Sequence, residues 1–378
     1  MRGLIIQQSP SKGGALTFTE RLINYCKINK INTFLICNNN EKEHFSHLNI
    51  NIIINTRITS IKINTHPIRI FFKIIEEIYS LSTIIRKVKP DVIFVSNIAQ
   101  GTLLGTIFFR KPILFFFHTY PDQKYDWFTQ LYIKIFSSFK CVYITVSKYS
   151  GIKVAKYLGL PIDSVKILYN YAYKGSQINI SHERKFIKLL TIGHVTDIKN
   201  PELWLEIAIK IIESNNNNIN FYWAGDGDLL NLMREKVKKR NYTNRIFFLG
   251  HQDDVQSLYQ NSDIYFQPSK IESHGIAVVE AMYNRLPVIV SNSGGLPESV
   301  DHLQNGMIHD INDIHGFLKS IIWLADSPKI RKIFGESGRN KCEKYFSESI
   351  WNKNLSFILN SVLDLQNNEK FTNVKINL

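Results

Sequence analysis

Two glutamates, Glu272 and Glu280, stand with seven residues between them in the segment Pro268-Ser-Lys-Ile-Glu272-Ser-His-Gly275-Ile-Ala-Val-Val-Glu280-Ala-Met282. The segment follows an apolar run, Ile264–Gln267, and leads into a helical pattern that starts near Gly275. Glu272 therefore falls on the loop, and Glu280 about one and a half turns inside the helix. This arrangement suits a sugar carried on a nucleotide diphosphate. A helix start offers unpaired N–H groups and partial positive charge to phosphate oxygens. Gly275 lets a phosphate come close to the backbone. A carboxylate farther along the helix can accept two hydrogen bonds from the vicinal hydroxyls of a ribose, and one on the loop can reach the sugar. Two exposed glutamates steadied by a helix dipole are the plainer reading of the same residues.

The elements that must position these groups alternate along the whole chain. Strand patterns at 3–8, 31–37, 91–96, 113–117 and 142–146 alternate with helical ones at 15–29, 69–88, 127–138 and 148–157. A second set follows, with strands at 186–192, 220–224, 246–249, 264–267 and 288–290 and helices at 201–214, 228–240, 254–261 and 275–284. Three helices close the chain near 313–325, 329–345 and 348–366. Continuous Val/Ile/Phe strands between helices predict parallel sheets covered on both faces. The chain of 378 residues is long enough for two such domains. The expected division is 1–172, 173–350, and a last helix and tail over 351–378 that packs back on the first domain, with a polar linker near 170–184. A ligand would sit in the cleft beyond the C-terminal ends of the strands.

Taken together these residues resemble glycosyltransferase family 4, strongly over 186–310, moderately over 141–172 and weakly over 38–110. The resemblance implies a GT-B architecture, two doubly wound Rossmann-like domains facing each other across a cleft, the second holding the donor and the first the acceptor. It implies that Glu280 binds the ribose, that Glu272 contacts the transferring sugar, and that the amides of Gly275, Ile276 and Ala277 approach the diphosphate. Gly193-His194-Val-Thr-Asp-Ile-Lys199 stands where the family places a basic residue and a lysine on that diphosphate. Lys199 fits, and His194 replaces the usual arginine with a weaker or pH-dependent contact. Gly225, in Ala224-Gly225-Asp-Gly-Asp228, and the pair Gly13-Gly14 fall in family order too, although both are also ordinary turn chemistry. His118 ends a buried strand, Phe115-Phe-Phe-His118, where the resemblance turns it toward the donor sugar; a lone structural histidine is the alternative. His274 departs from the family, which often has Phe before the glycine, and a polar ring there would alter sugar contacts.

The activity implied is retaining transfer of a sugar from a UDP- or GDP-sugar to a glycan or lipid-linked acceptor in cell-surface polysaccharide synthesis. No side chain presents itself as a covalent nucleophile. Front-face attack is implied, with the departing phosphate as base and its charge met by Lys199, His194 and the helix start at Gly275. No paired-Asp motif follows a strand, so neither a metal nor a cofactor is expected. Domain closure would exclude water.

Charge is unevenly spread. Residues 1–180 hold 23 Lys and Arg against 9 Asp and Glu, whereas residues 181–378 hold 23 of each, so the net +14 belongs to the first half. Segments 68–90 and 127–140 mix basic and aromatic residues in a way that suits an anionic membrane interface, or else a plain solvated surface. Four cysteines, Cys26, Cys37, Cys141 and Cys342, show no metal or redox spacing. No apolar stretch approaches the ~18 residues of a membrane span. The expectation is a cytoplasmic protein, peripheral on the membrane, with no nucleic-acid partner. Three competing readings remain: a nucleotide-sugar 2-epimerase of the same architecture, a basic nucleic-acid-binding protein lacking any recognisable module, and a transferase-like chain without activity.

Overall fold

The computed structural model describes residues 1–7, 14–54, 67–96, 106, 109, 111–119, 141–172, 186–214 and 218–367. They divide into two units, Met1–Leu168 with Asn352–Leu378, and Tyr169–Trp351.

In the first unit seven strands form one sheet: β1 (Arg2–Gln7), β2 (Asn32–Cys37), β3 (Asn51–Ile54), β4 (Val92–Ser96), β5 (Ile113–Phe117), β6 (Cys141–Thr145) and β7 (Val165–Ile167). Their order is β3-β2-β1-β4-β5-β6-β7, and every pairing is parallel. Ile5 of β1 pairs with Leu35 on one side and Phe94 on the other. Leu4-Ile5-Ile6, Val92–Val95 and Ile113–Phe117 are buried throughout, as strands with helices on both faces must be. Among the described residues before Leu168, the helices of this unit are α1 (Gly14–Ile28), α2 (Asn39–Phe45), α3 (Pro67–Val88) and α4 (Lys148–Leu158).

The second unit repeats the plan with β8 (Ile187–Ile192), β9 (Ile219–Ala224), β10 (Ile246–Gly250), β11 (Ile264–Gln267), β12 (Val288–Ser291) and β13 (Gly306–His309), ordered β10-β9-β8-β11-β12-β13 and again all parallel. Its helices are α5 (Pro201–Glu213), α6 (Leu230–Lys239), α7 (Val255–Gln260), α8 (Ile276–Tyr283), α9 (Leu296–Ser299), α10 (Ile314–Asp326) and α11 (Pro328–Tyr345). The helix α12 (Glu348–Asn367) continues into the first unit, where Ser356 Oγ lies 3.0 Å from Tyr25 Oη. Trp204 anchors one face of the second sheet: its ring meets Trp223 and Phe248 edge-on, and its Nε1 donates to Thr191 Oγ1 at 2.7 Å.

Both sheets reverse their order of winding once, between β1 and β4 and between β8 and β11. Loops leaving the C-terminal ends of those strands splay to opposite faces and open a crevice there. The α/β class with two doubly wound sheets is the one the sequence predicts. Strands β3, β7 and β13 escape the pattern, and each is an edge strand of three or four residues. An edge needs no long apolar run, because one side has no neighbour to pair with. The helix expected over 127–138 lies outside the described residues.

Candidate active site

The winding reversal of the second unit gathers most of the predicted groups. After β8 the chain turns through Gly193–Asn200, and after β11 it turns through Pro268–Gly275. The two loops are joined by Lys270 N donating to Ile198 O at 2.8 Å and by an exposed Lys270–Asp197 ion pair. Lys199 Nζ forms an ion pair with Glu272 Oε1. The same oxygen accepts from Gln267 Nε2 at 2.7 Å and from Ser269 Oγ at 3.2 Å. One carboxylate oxygen thus collects three donors, one of them charged.

Helix α8 begins beside this cluster. Gly275 is its N-cap at φ 80°, a left-handed conformation that favours glycine, and a Cβ there would lie 2.5 Å from Leu296 Cδ2. The helical bonds start with Val278 N and Val279 N to Gly275 O, which leaves the amides of Ile276 and Ala277 without helical acceptors. One turn on, Glu280 Oε2 accepts from the buried Tyr259 hydroxyl at 3.0 Å. Burial, reinforced by the Glu280 charge, raises the Tyr259 pKa well above its ordinary value, so it serves as a neutral donor. The structure therefore brings Lys199, Glu272 and the start of α8 to one end of the sheet, with Glu280 one turn farther along.

The remaining predicted residues have other surroundings. Gly193 lends its carbonyl to Trp223 Nε1 at 2.8 Å. Gly225 abuts it so closely that a Cβ on Gly225 would lie 2.1 Å from Gly193 O. Packing of two strand ends is a sufficient reason for that glycine. The exposed His194 places Nδ1 3.3 Å from Asp226 O. His274 is buried, its ring tilted against Tyr169 and edge-on to Phe346, with Nε2 3.4 Å from Ser299 Oγ. It fills the interior of this unit, so the departure at 274 is accommodated by packing, not by a sugar contact.

Gly14 opens α1 in the first unit, and Gly13 lies outside the described residues. His118 follows β5, at the matching end of the first sheet. Its Nε2 lies 3.0 Å from the buried Ser96 Oγ at the end of β4, and its ring packs 4.3 Å from that of Phe18. Thr19 Oγ1, 3.4 Å from Ser96 Oγ, donates to Gln7 Oε1 at 2.5 Å, so β1, β4 and β5 end in one hydrogen-bonded chain. Burial pushes the His118 pKa down from 6.5 to about 4, which keeps the imidazole neutral near pH 7. The unfolded chain takes up this proton near its ordinary value and the folded one only near pH 4. The resulting stability is complete above pH 6.5 and is lost as pH falls toward 4. His118→Asn should therefore flatten the curve of melting temperature against pH across that window, and an unchanged slope would remove this half-buried imidazole as its cause.

The family model described as Glycosyltransferase Family 4 matches residues 12–171, and that described as Glycosyl transferases group 1 matches residues 176–341. The chain belongs to glycosyltransferase family 4. Over 159 residues it is 31% identical to UDP-Gal:alpha-D-GlcNAc-diphosphoundecaprenol alpha-1,3-galactosyltransferase of Escherichia coli, covering 41% of each chain. The chain spans about half the length of the curated relatives it matches. A solved structure, a glycosyltransferase from Rickettsia africae, superposes with a TM-score of 0.81 at 18% identity, over 96% of this chain and 98% of that one. Anabaena HepE in complex with UDP and glucose superposes with a TM-score of 0.75, also at 18% identity, over 96% of this chain and 100% of that one. At such identities the likeness is one of fold. The epimerase and nucleic-acid readings are not favoured by these glycosyltransferase matches.

Sequence reasoning missed Tyr265 and Gln267. The signal available was an alternation, Tyr265-Phe-Gln267, that sets two polar groups on one face at the end of an otherwise apolar strand.

Proposed function

We propose that the protein transfers a sugar from a UDP-sugar to a lipid-linked or polysaccharide acceptor in cell-surface glycan synthesis, with retention and without a metal. The convergence of Lys199, Glu272 and the start of α8 at the winding reversal of the second sheet carries this reading. In it the diphosphate lies against the amides of Gly275, Ile276 and Ala277, with Lys199 and His194 meeting its charge. Glu280 takes the ribose and Glu272 a hydroxyl of the transferring sugar. His118, neutral at physiological pH, is assigned a hydrogen-bonding contact to that sugar. The departing phosphate accepts the proton of the attacking hydroxyl, so the chain's own task is to hold both substrates and stabilise the leaving charge. The Escherichia coli relative, named for a UDP-galactose donor and a diphosphoundecaprenol-linked acceptor, and HepE, crystallised with UDP and glucose, support the choice of UDP.

Titration with UDP, GDP, ADP and their sugar conjugates, followed by melting temperature, tests the donor site. A ligand at 100 times its Kd stabilises the folded state by about 2.7 kcal/mol. UDP should raise the melting temperature, and Glu280→Ala should remove most of that rise. Absence of a shift with every nucleotide would end the donor reading.

Acceptor binding is assigned to the basic first unit, at a membrane surface. On α3, Phe72, Ile75 and Tyr79 follow one helical face and are 66%, 46% and 69% exposed, with Arg86 and Lys87 in the last turn. Such a stripe with the cationic half of the chain complements an anionic bilayer. Among the described residues no helix is long and apolar enough to cross a membrane. Ile75→Ser with Tyr79→Ser should reduce co-sedimentation with phosphatidylglycerol vesicles several-fold at low salt. Equal recovery of wild type and variant would dismiss this face.

A further inference from the structure

We infer that Gln267 and Tyr265 are positioning residues that hold one oxygen of Glu272 while Lys199 is free to turn to the donor phosphate. The inference rests on the donor reading above. Gln267 is the last residue of β11 and is buried. A buried amide is costly unless both ends are paired, and here both are: Oε1 accepts from the Tyr265 hydroxyl at 2.7 Å, and Nε2 donates to Glu272 Oε1 at 2.7 Å. Tyr265 is fully buried, and burial raises its pKa well above the ordinary value, so it holds its proton. Its oxygen receives Ile192 N at 3.4 Å, at the last residue of β8. Its proton has two acceptors within reach, Ile192 O at 3.2 Å and the nearer Gln267 Oε1. A flipped amide would turn its oxygen toward the carboxylate, so the network fixes which end of Gln267 faces Glu272.

A chain of bonds thus runs from the backbone end of β8 through Tyr265 and Gln267 to Glu272 Oε1. Gln267 and Ser269 are neutral donors fixed on the β11 strand end and its loop, whereas Lys199 reaches the same oxygen from a different loop on a long flexible stem. The diphosphate competes for that ammonium. When Lys199 turns to it, the neutral donors keep Oε1 in place and leave Oε2 aimed at the sugar. One lysine can then serve the leaving group without releasing the carboxylate that orients the sugar.

Affinities for UDP and UDP-glucose, with GDP and GDP-mannose as a parallel pair, test this by calorimetry on wild type, Gln267→Leu, Tyr265→Phe and Glu272→Ala. The readout is the ratio of the nucleotide-sugar Kd to the nucleotide Kd, which a merely structural role would leave unmoved. Gln267→Leu should raise the ratio ~10-fold, on the scale of one lost hydrogen bond to a charged group, with the Kd of the bare nucleotide within twofold. Combined with Glu272→Ala it should add nothing further, because the effect passes through that carboxylate. Should Gln267→Leu fold poorly, Tyr265→Phe keeps the ring, removes one hydroxyl, and is expected to move the ratio the same way by a few-fold. A ratio within twofold of wild type in both variants, or equal loss of nucleotide and nucleotide sugar, overturns the inference. Failure of wild type to bind any bare nucleotide overturns the donor reading beneath it, and is seen before any Gln267 variant is compared.

Discussion

Lys199→Ala should lower the rate of sugar transfer by ~10²–10³, the usual cost of removing one preorganised group that meets developing negative charge. On the proposed reading, the ammonium that pairs with Glu272 is also the one that meets the departing phosphate. The variant loses both functions. The lysine stem passes over the turn glycine, since a Cβ on Gly193 would sit 3.3 Å from Lys199 Cε. Lys199→Arg is not expected to rescue the rate, because a planar fork differs in shape and reach from a compact ammonium. Lys270→Ala is the matching control. Its partner Asp197 is exposed, so breaking that pair should cost little stability and leave the rate within about twofold. Initial rates of nucleotide release at saturating donor, with melting temperatures alongside, give the comparison. A Lys199→Ala enzyme that kept half the wild-type rate would remove this residue from the chemistry.

Much of this architecture was legible because parallel strands are buried on both faces and leave continuous apolar runs. Val92–Val95 and Ile113–Phe117 show themselves in that way. The glutamates at 272 and 280 were legible because a helix start between them gives their spacing a physical meaning. Other parts had no such signature. Gln267 and Glu272 are five residues apart across a strand end, a spacing with no period behind it, and only the folded loop makes them partners. His274 adjoins the helix start in sequence, yet its ring turns inward between Tyr169 and Phe346, a direction set by tertiary packing. In the first unit, Ser96 of β4 and Thr19 of α1 lie 77 residues apart and meet where the helix following β1 packs beside the β1–β4 strand ends.

Gly294→Ala should destabilise the second unit and disable the donor site together. The pair Gly294-Gly295 stands immediately before α9. In the structure it is a backbone clamp on the loop that carries Glu272: Gly295 N donates to Glu272 O at 2.8 Å, and a Cβ on Gly294 would lie 2.0 Å from that oxygen and 2.8 Å from Glu272 N. Backbone atoms cannot swing aside as a side-chain tip does, so the loop must move. Gly294 also sits at φ 63°, where a side chain costs on the order of 1–3 kcal/mol. Strain and displacement together should remove more than ~2 kcal/mol, a fall of about 4 °C or more in melting temperature for a unit of this size. Gly159→Ala separates the two contributions: Gly159 has the same φ of 63°, but a Cβ there meets nothing within 4 Å. It bears the conformational cost alone, at the end of α4 in the other unit, and should bind UDP and UDP-sugars as wild type does. A Gly294→Ala protein with wild-type affinity for the nucleotide sugar would show that the Glu272 loop tolerates displacement. Its position would then matter less to donor recognition than the three donors on one oxygen imply.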